Sequence, residues 1–344
     1  MAEAMASPGN PSSVHGHGRR ARRLIEAARG RLGERLDVAP DRVVFTSGGT
    51  EANHLALLGL PGPRLVSAIE HPSILEAVPD AVRVPVQPDG RLDLAALAEL
   101  LARLRPALVS LMLANNETGV IQPVAEAARL AHAHGALLHC DAVQAFGKLP
   151  LAPTSLGADL VTLSAHKLGG PPGVGALVVR EGLEPTPLQR GGGQEQRRRA
   201  GTENLPGIVG FAAALEPTTD WDAIRVLRDR LEAGARAIRP DAVVVGATAE
   251  RLPNTTCLLI PGLAAETQLM ALDLAGVAVS SGAACSSGKV GPSHVLAAMG
   301  LPPEAARCAV RVSLGWSTTA ADVDAFLTAC RPLYTRRRAS AETT

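Results

Sequence analysis

Five times in the first half of the chain a short apolar run empties into small or polar residues, and few architectures accept that rhythm. The runs span 43–46, 64–69, 107–113, 136–140 and 160–163, with helical patterns at 92–104 and 124–134 among them. Each is of strand length and largely apolar, as in strands covered on both faces. Strands alternating with helices predict an α/β fold on a mainly parallel, doubly wound sheet, whose ligand sits beyond the carboxyl ends of the strands. At those ends stand Ser47-Gly48-Gly49-Thr50, Glu70-His71-Pro72-Ser73, Ala114-Asn115-Asn116-Glu117-Thr118-Gly119, Asp141-Ala142-Val143-Gln144, and then Ser164, His166 and Lys167. One sheet edge thus gathers the polar residues of a single site. The Gly/Pro-rich stretch 169–175 is expected to be irregular chain.

Within that edge the lysine is the unusual residue. Of 34 basic residues only Lys148, Lys167 and Lys289 are lysines, so positive charge as such is supplied by arginine. Arginine stays protonated, whereas a desolvated lysine gives up its proton and becomes a nucleophile or Schiff-base former. The small residues at 47–50 let main-chain N–H groups and a helix's positive end approach a phosphate, and Thr50 adds a hydroxyl. Taken alone, this turn is equally an ordinary capped helix start, since neither a G-K-[ST] nor a G-x-G-x-x-G pattern is present. His71, held by Pro72, can face a ligand ring or move a proton near neutral pH. A phosphate cradle, the Asp141 carboxylate, the Lys167 amine and a ring-facing His71 together match pyridoxal 5'-phosphate. Its aldehyde takes an amine, and a carboxylate keeps its pyridine nitrogen protonated.

Composition bounds the alternatives. The chain has 344 residues, 46% apolar and 19% charged, with a net charge of +1, which gives no bulk electrostatic reason to bind nucleic acid or an anionic membrane. Only 2% are aromatic, so Ala, Leu and Val must build the core. No apolar run of about 18 residues could span a bilayer and no signal-peptide core opens the chain, so a cytoplasmic protein is expected. Five widely spaced cysteines, Cys140, Cys257, Cys285, Cys308 and Cys330, include no C-x-x-C; this argues against a disulfide framework or a zinc site. His15 and His17 lack a third ligand and read as surface residues, so no metal is expected.

These residues sit in stretches that, in order along nearly the whole chain, resemble the cysteine desulfurases of the class V aminotransferase superfamily, in the NifS/IscS-like group. The stretches are G-N-P-S-S-V-H (9–15), F-T-S-G-G-T-E-A-N (45–53), E-H-P-S (70–73), N-N-E-T-G-V-I-Q-P (115–123), D-A-V-Q (141–144), S-A-H-K (164–167), G-G-G-Q-E (191–195), R-A-G-T-E-N (199–204), S-S-G-A-A-C (280–285) and R-V-S-L-G (311–315).

The resemblance implies a fold-type I pyridoxal-phosphate enzyme with a large domain over 1–216, a smaller C-terminal α+β domain over 217–335 and a polar tail at 336–344. It implies that Lys167 holds the cofactor, that Asp141 meets the pyridine nitrogen and Gln144 the phenolic oxygen, and that His71 stacks on the ring and helps move protons. Gly49, Thr50, Ser164 and His166 would contact the phosphate, and Thr202 the phosphate of a partner subunit, making a homodimer. Asn116 would lie beside cofactor and substrate, and Arg311 would grip the carboxylate of L-cysteine. Cys285, in a stretch of small residues, would take the substrate sulfur as a persulfide, release alanine and pass the sulfur to an acceptor protein of iron-sulfur assembly or tRNA thiolation. A selenocysteine lyase, another lyase of the superfamily, or a catalytically impaired scaffold subunit are the alternative readings.

Two departures accompany the resemblance. The family's opening segment, ending in an Asn-Ala-Thr-Thr-like motif that helps line the site, does not precede Gly9-Asn10-Pro11, so either the site wall is expected to be incomplete or the true start lies upstream. Gln196-Arg197-Arg198 stand where an Arg and a Gly are more usual.

Overall fold

A computed structural model of the chain describes residues 1–6, 9–216, 219–281 and 293–335. By contacts it divides into two compact units. The first comprises 1–85, 92–113 and 122–218, and the second 86–91, 114–121 and 219–344.

The first unit is built on seven strands: β1 Val43–Thr46, β2 Arg64–Ser67, β3 Val82–Val84, β4 Leu108–Met112, β5 Leu137–Asp141, β6 Leu160–Ser164 and β7 Gly175–Val179. Their order across the sheet is β1-β7-β6-β5-β4-β2-β3. The pairs from β3 through β2, β4 and β5 to β6 are parallel, and β7 runs antiparallel to both β6 and β1. After β3 at one edge the chain returns to the far side of β2 to lay down β4, so the order reverses between them; in open α/β sheets a crevice forms at such a point. Strands β4, β6 and β7 are buried at every position, as the uniformly apolar runs require.

The mainly parallel α/β sheet is as the sequence predicts, except that neither β3 nor β7 is among the expected runs. β7 begins at Gly175, inside the stretch expected to be irregular. Its glycine is required by a close approach: a Cβ there would stand 2.6 Å from the Leu163 carbonyl oxygen and 2.7 Å from the Gly48 carbonyl carbon. Punctuation by Gly and Pro hid the apolar Ala-Leu-Val-Val run that follows.

The second unit holds a four-stranded antiparallel sheet of β8 Val243–Val244, β9 Thr255–Leu259, β10 Ser280–Ser281 and β11 Ala309–Ser313, in the order β10-β11-β9-β8. Helices Trp221–Ile238 and Ala320–Tyr334 pack against it through Leu231, Ala235, Val323, Phe326 and Tyr334, which meet Leu258, Val310 and Val312 in one core. Asp220 caps the first helix through the Ala223 amide, and a Thr319/Asp322 capping box opens the second; such caps satisfy main-chain donors that a helix start leaves unpaired. Among the described residues, no helix is long and apolar enough to cross a membrane.

Candidate active site

In the first unit the predicted residues cluster at the carboxyl ends of the strands. Asp141 is the last residue of β5 and is 6% exposed. Its Oδ1 accepts from the Val143 amide at 3.0 Å and its Oδ2 from Asn53 Nδ2 at 2.9 Å. Burial pushes the Asp141 carboxyl above the usual range, while those two donors, His71 when protonated, and Lys167 favour its ionised form. The amine and the imidazole are therefore each close enough to the Asp141 carboxyl to act on it electrostatically.

Lys167 lies on the 3-10 turn Ala165–Leu168, which directly continues β6, and it is exposed. Ser164, the buried last residue of β6, has its Oγ 2.9 Å from Nδ1 of His166. Burial and then the Lys167 charge both lower the pKa of His166, so its neutral form is favoured. Gly49 opens the helix Gly49–Leu58, and a Cβ on it would stand 2.9 Å from Val143 Cγ2 and 3.6 Å from Ser164 Cβ. The turn carrying Gly49 and Thr50 thus abuts the elements that carry Asp141 and Ser164. Gly48, with φ +156° and no Cβ to strain, lets the chain pass from β1 into that helix.

His71 caps the short helix Pro72–Leu75, its Nδ1 taking the Ser73 amide at 3.1 Å and lying 2.8 Å from Ser73 Oγ. Gln144 is half-buried, and its main-chain oxygen accepts from Lys148 Nζ at 2.6 Å. Thr202 is exposed and shares a cavity of about 70 Å³ with Thr46, Ser47 and Arg199. Arg199 pairs with Glu51 at 2.9 Å, and Glu51 also accepts from the Ser47 amide at 2.7 Å. Burial would raise the Glu51 pKa, but these donors outweigh it and lower it. The turn at 47–50 is thereby stitched to the segment bearing Thr202.

In the second unit, Arg311 on β11 is half-buried. Its Nη1 donates to the Asn116 carbonyl at 2.8 Å and its Nη2 to Ser280 Oγ at 3.2 Å, while its buried Nε has no hydrogen-bond partner among the described residues. Asn116 is itself buried. Cys285 lies outside the described residues, as does the tail 336–344. The other four cysteines are buried and unbridged. Burial pushes the thiols of Cys257 and Cys330 up to about 12 and that of Cys140 well above the ordinary value, which leaves them inert as nucleophiles.

Four residues around these groups carry no role in the sequence reading. Asn53 and Ser73 link Asp141 to His71. Glu70, fully buried, accepts from the Met112 amide at 2.7 Å, and burial together with the Asp141 charge raises its carboxyl well above the usual range. Glu117, 3% exposed, accepts a short 2.5 Å bond from Ser293 Oγ. A polar residue on the apolar face of a helix, such as Asn53 among Ala52, Leu55 and Ala56, is the signal that marks the first of them. Among the described residues no group of His, Cys, Asp and Glu could hold a metal ion.

The donor set fits pyridoxal phosphate. It offers an exposed amine within electrostatic reach of a buried carboxylate, an imidazole beside that carboxylate, and hydroxyl and ring N–H groups at Thr50, Ser164 and His166 next to a helix start.

Comparison with known proteins agrees with this chemistry. A family model described as aminotransferase class-V matches residues 1–326. The chain is 48% identical to a cysteine desulfurase of Cereibacter sphaeroides, over 96% of this chain and 90% of that relative. It is 42% identical to a cysteine desulfurase of Klebsiella pneumoniae, over 96% of this chain and 87% of the other. A NifS-like protein from Rickettsia africae ESF-5 has a crystal structure similar at a TM-score of 0.90 and 36% identity, covering 97% of this chain and 94% of that one. By sequence and by fold together, the chain belongs to the class-V aminotransferase family, among its cysteine desulfurases.

Proposed function

We propose that this protein is a pyridoxal-phosphate-dependent cysteine desulfurase that converts L-cysteine to L-alanine and moves the sulfur onto Cys285. The observation that carries the reading is the buried Asp141 carboxylate, fixed by Asn53 and the Val143 amide within the electrostatic reach of Lys167 and His71. Lys167 would hold the cofactor through its Nζ, Asp141 would face the pyridine nitrogen, and Gln144 the phenolic oxygen. Gly49, Thr50, Ser164 and His166 would hold the phosphate. When bound, pyridoxal phosphate supplies a protonated ring that withdraws electrons from the substrate Cα.

The remaining chemistry belongs to the chain. Arg311 and Asn116 would bind and orient the substrate carboxylate; Arg311 Nε has no hydrogen-bond partner among the described residues. Lys167 Nζ, once freed, takes the Cα proton and returns it during turnover, and His71 assists proton movement from the neighbouring strand end. The Cys285 thiolate attacks the sulfur of L-cysteine: an S–S bond forms, the substrate C–S bond breaks, and the electron pair left on carbon takes up a proton to give alanine. Cys285 then carries a persulfide for delivery to an acceptor protein. Thr202 would serve the phosphate of a second copy, so the working form is a homodimer.

The test is direct. Purified protein should absorb in the visible, change colour with L-cysteine, and yield alanine and sulfide in equal amounts under reductant. Lys167→Ala should lose the coloured adduct and at least about 10³-fold in turnover. A colourless wild type, or alanine formation undiminished in Lys167→Ala, overturns the reading.

A further inference from the structure

We propose that Asn53 and Ser73 are positioning residues that tie the Asp141 carboxylate to the His71 imidazole through one directed run of hydrogen bonds, leaving the imidazole proton on Nε2. The inference rests on the placement of Asp141 and His71 at the cofactor and deepens it by naming what orients them.

Asn53 is 1% exposed, and its amide nitrogen carries two hydrogens. One goes to Asp141 Oδ2 at 2.9 Å and the other to Ser73 Oγ at 3.0 Å. A hydroxyl oxygen that accepts there still has its own proton to give. His71 Nδ1 lies 2.8 Å from that oxygen. The Ser73 peptide N–H reaches the same nitrogen at 3.1 Å, and a peptide N–H is a donor in every protonation state. With two donors aimed at it, Nδ1 is the acceptor and the neutral ring carries its proton on Nε2.

The orientation of the Asn53 amide follows from the same count. Turned over, its Oδ1 would face the Asp141 carboxylate, oxygen against oxygen. As placed, Oδ1 is buried and has no hydrogen-bond partner among the described residues. Ser73, 9% exposed, stands at the second residue of the helix that His71 caps, so one short turn fixes the ring by main chain and hydroxyl together.

Imidazole ¹⁵N spectra of the full-length, cofactor-loaded protein test this, with the His71 signals assigned by their loss in His71→Gln. The wild type should show Nε2 protonated and Nδ1 as acceptor. Asn53→Ala, one hydrogen bond removed from the ring, should shift Nδ1 toward the average of the two tautomers, and Ser73→Ala should do the same. Asn53→Ala placed on Ser73→Ala should add nothing, because the coupling runs through the serine. Ser73→Thr keeps the hydroxyl and should restore the wild-type spectrum, which covers the case in which an Asn53 variant fails to fold. Turnover in Ser73→Ala should fall about tenfold with KM for L-cysteine changed less than about twofold, as for a mis-set proton-transfer group.

A wild-type His71 protonated on Nδ1, or an Asn53→Ala shift of equal size with and without Ser73, overturns the proposal. Loss of visible absorbance from the wild type would overturn the cofactor assignment instead, and the tautomer of His71 would still be read from the same sample.

Discussion

Glu117 sits in a buried pocket of the second unit with Ser293 on its carboxylate and the Arg311 charge nearby. Burial pushes its carboxyl up to about 7, against the opposing effects of Ser293 and Arg311. An unfolded glutamate ionises near its ordinary 4.5, so between the two values the folded chain holds a proton that the unfolded chain has lost. Stability from this group is therefore complete below about 4.5 and declines as pH rises to about 7, by about 3 kcal/mol in total. Urea unfolding of wild type and Glu117→Gln at pH 5 and pH 8 checks the sign: the difference between the two proteins should move in favour of the glutamine variant at the higher pH. His139 is the counter-example at the same scale. Held between Ser110 Oγ at 2.9 Å and Thr162 Oγ1 at 2.9 Å, it is lowered by burial to about 3 and stays neutral; it is a core residue, and its pKa departs from the ordinary value without any link to the chemistry.

Among the elements, the segment after β7 is held by an unusual device. Glu195, Gln196 and Arg197 all have positive φ, at 44°, 56° and 69°, a conformation that costs non-glycine residues energy at each position. The anchor is Glu195, 5% exposed, which receives Arg29 Nη1 at 2.7 Å, Arg29 Nη2 at 2.8 Å and the Phe45 amide at 2.8 Å. The Arg29 guanidinium also lies 4.8 Å from the centre of the Phe45 ring. Glu195→Ala leaves the buried Arg29 guanidinium only its half-exposed partner Glu26 at 3.1 Å and the Val43 carbonyl and should cost about 3 kcal/mol, whereas Arg29→Met combined with Glu195→Leu should cost less than the Glu195→Ala change; thermal unfolding decides. Gly175→Ala should cost about 2 kcal/mol or more by forcing apart Leu163 and Gly48, and, with the turn holding the phosphate as proposed, it should lower cofactor affinity. Much of this level is legible in the sequence: the apolar runs mark β1, β2, β4, β5 and β6, and the strand-end position of Asp141, Ser164 and Lys167 follows from them. β7 is not, because Gly and Pro at 169–175 mask its start. Nor is the bridge through Asn53 and Ser73, because a hydrogen bond between residues 88 positions apart, Asn53 to Asp141, leaves no trace in local pattern. The Arg29 clamp spans 166 positions and is invisible for the same reason.

At the scale of the whole molecule, a net charge of +1 gives no bulk electrostatic reason for a charged partner, and the proposed chemistry falls on a few side chains. Cys285→Ser should therefore leave the cofactor's visible absorbance in place and stop alanine formation, with mass spectrometry of the wild type after L-cysteine showing one added sulfur at that residue. The burial of the remaining four cysteines makes them internal sentinels. Under native conditions an alkylating reagent should leave them untouched, and their modification under pulse labelling would count only those molecules that have opened cooperatively. Each unit carries its own, Cys140 in the first and Cys257, Cys308 and Cys330 in the second, so the order in which they gain mass reports which unit lets go first.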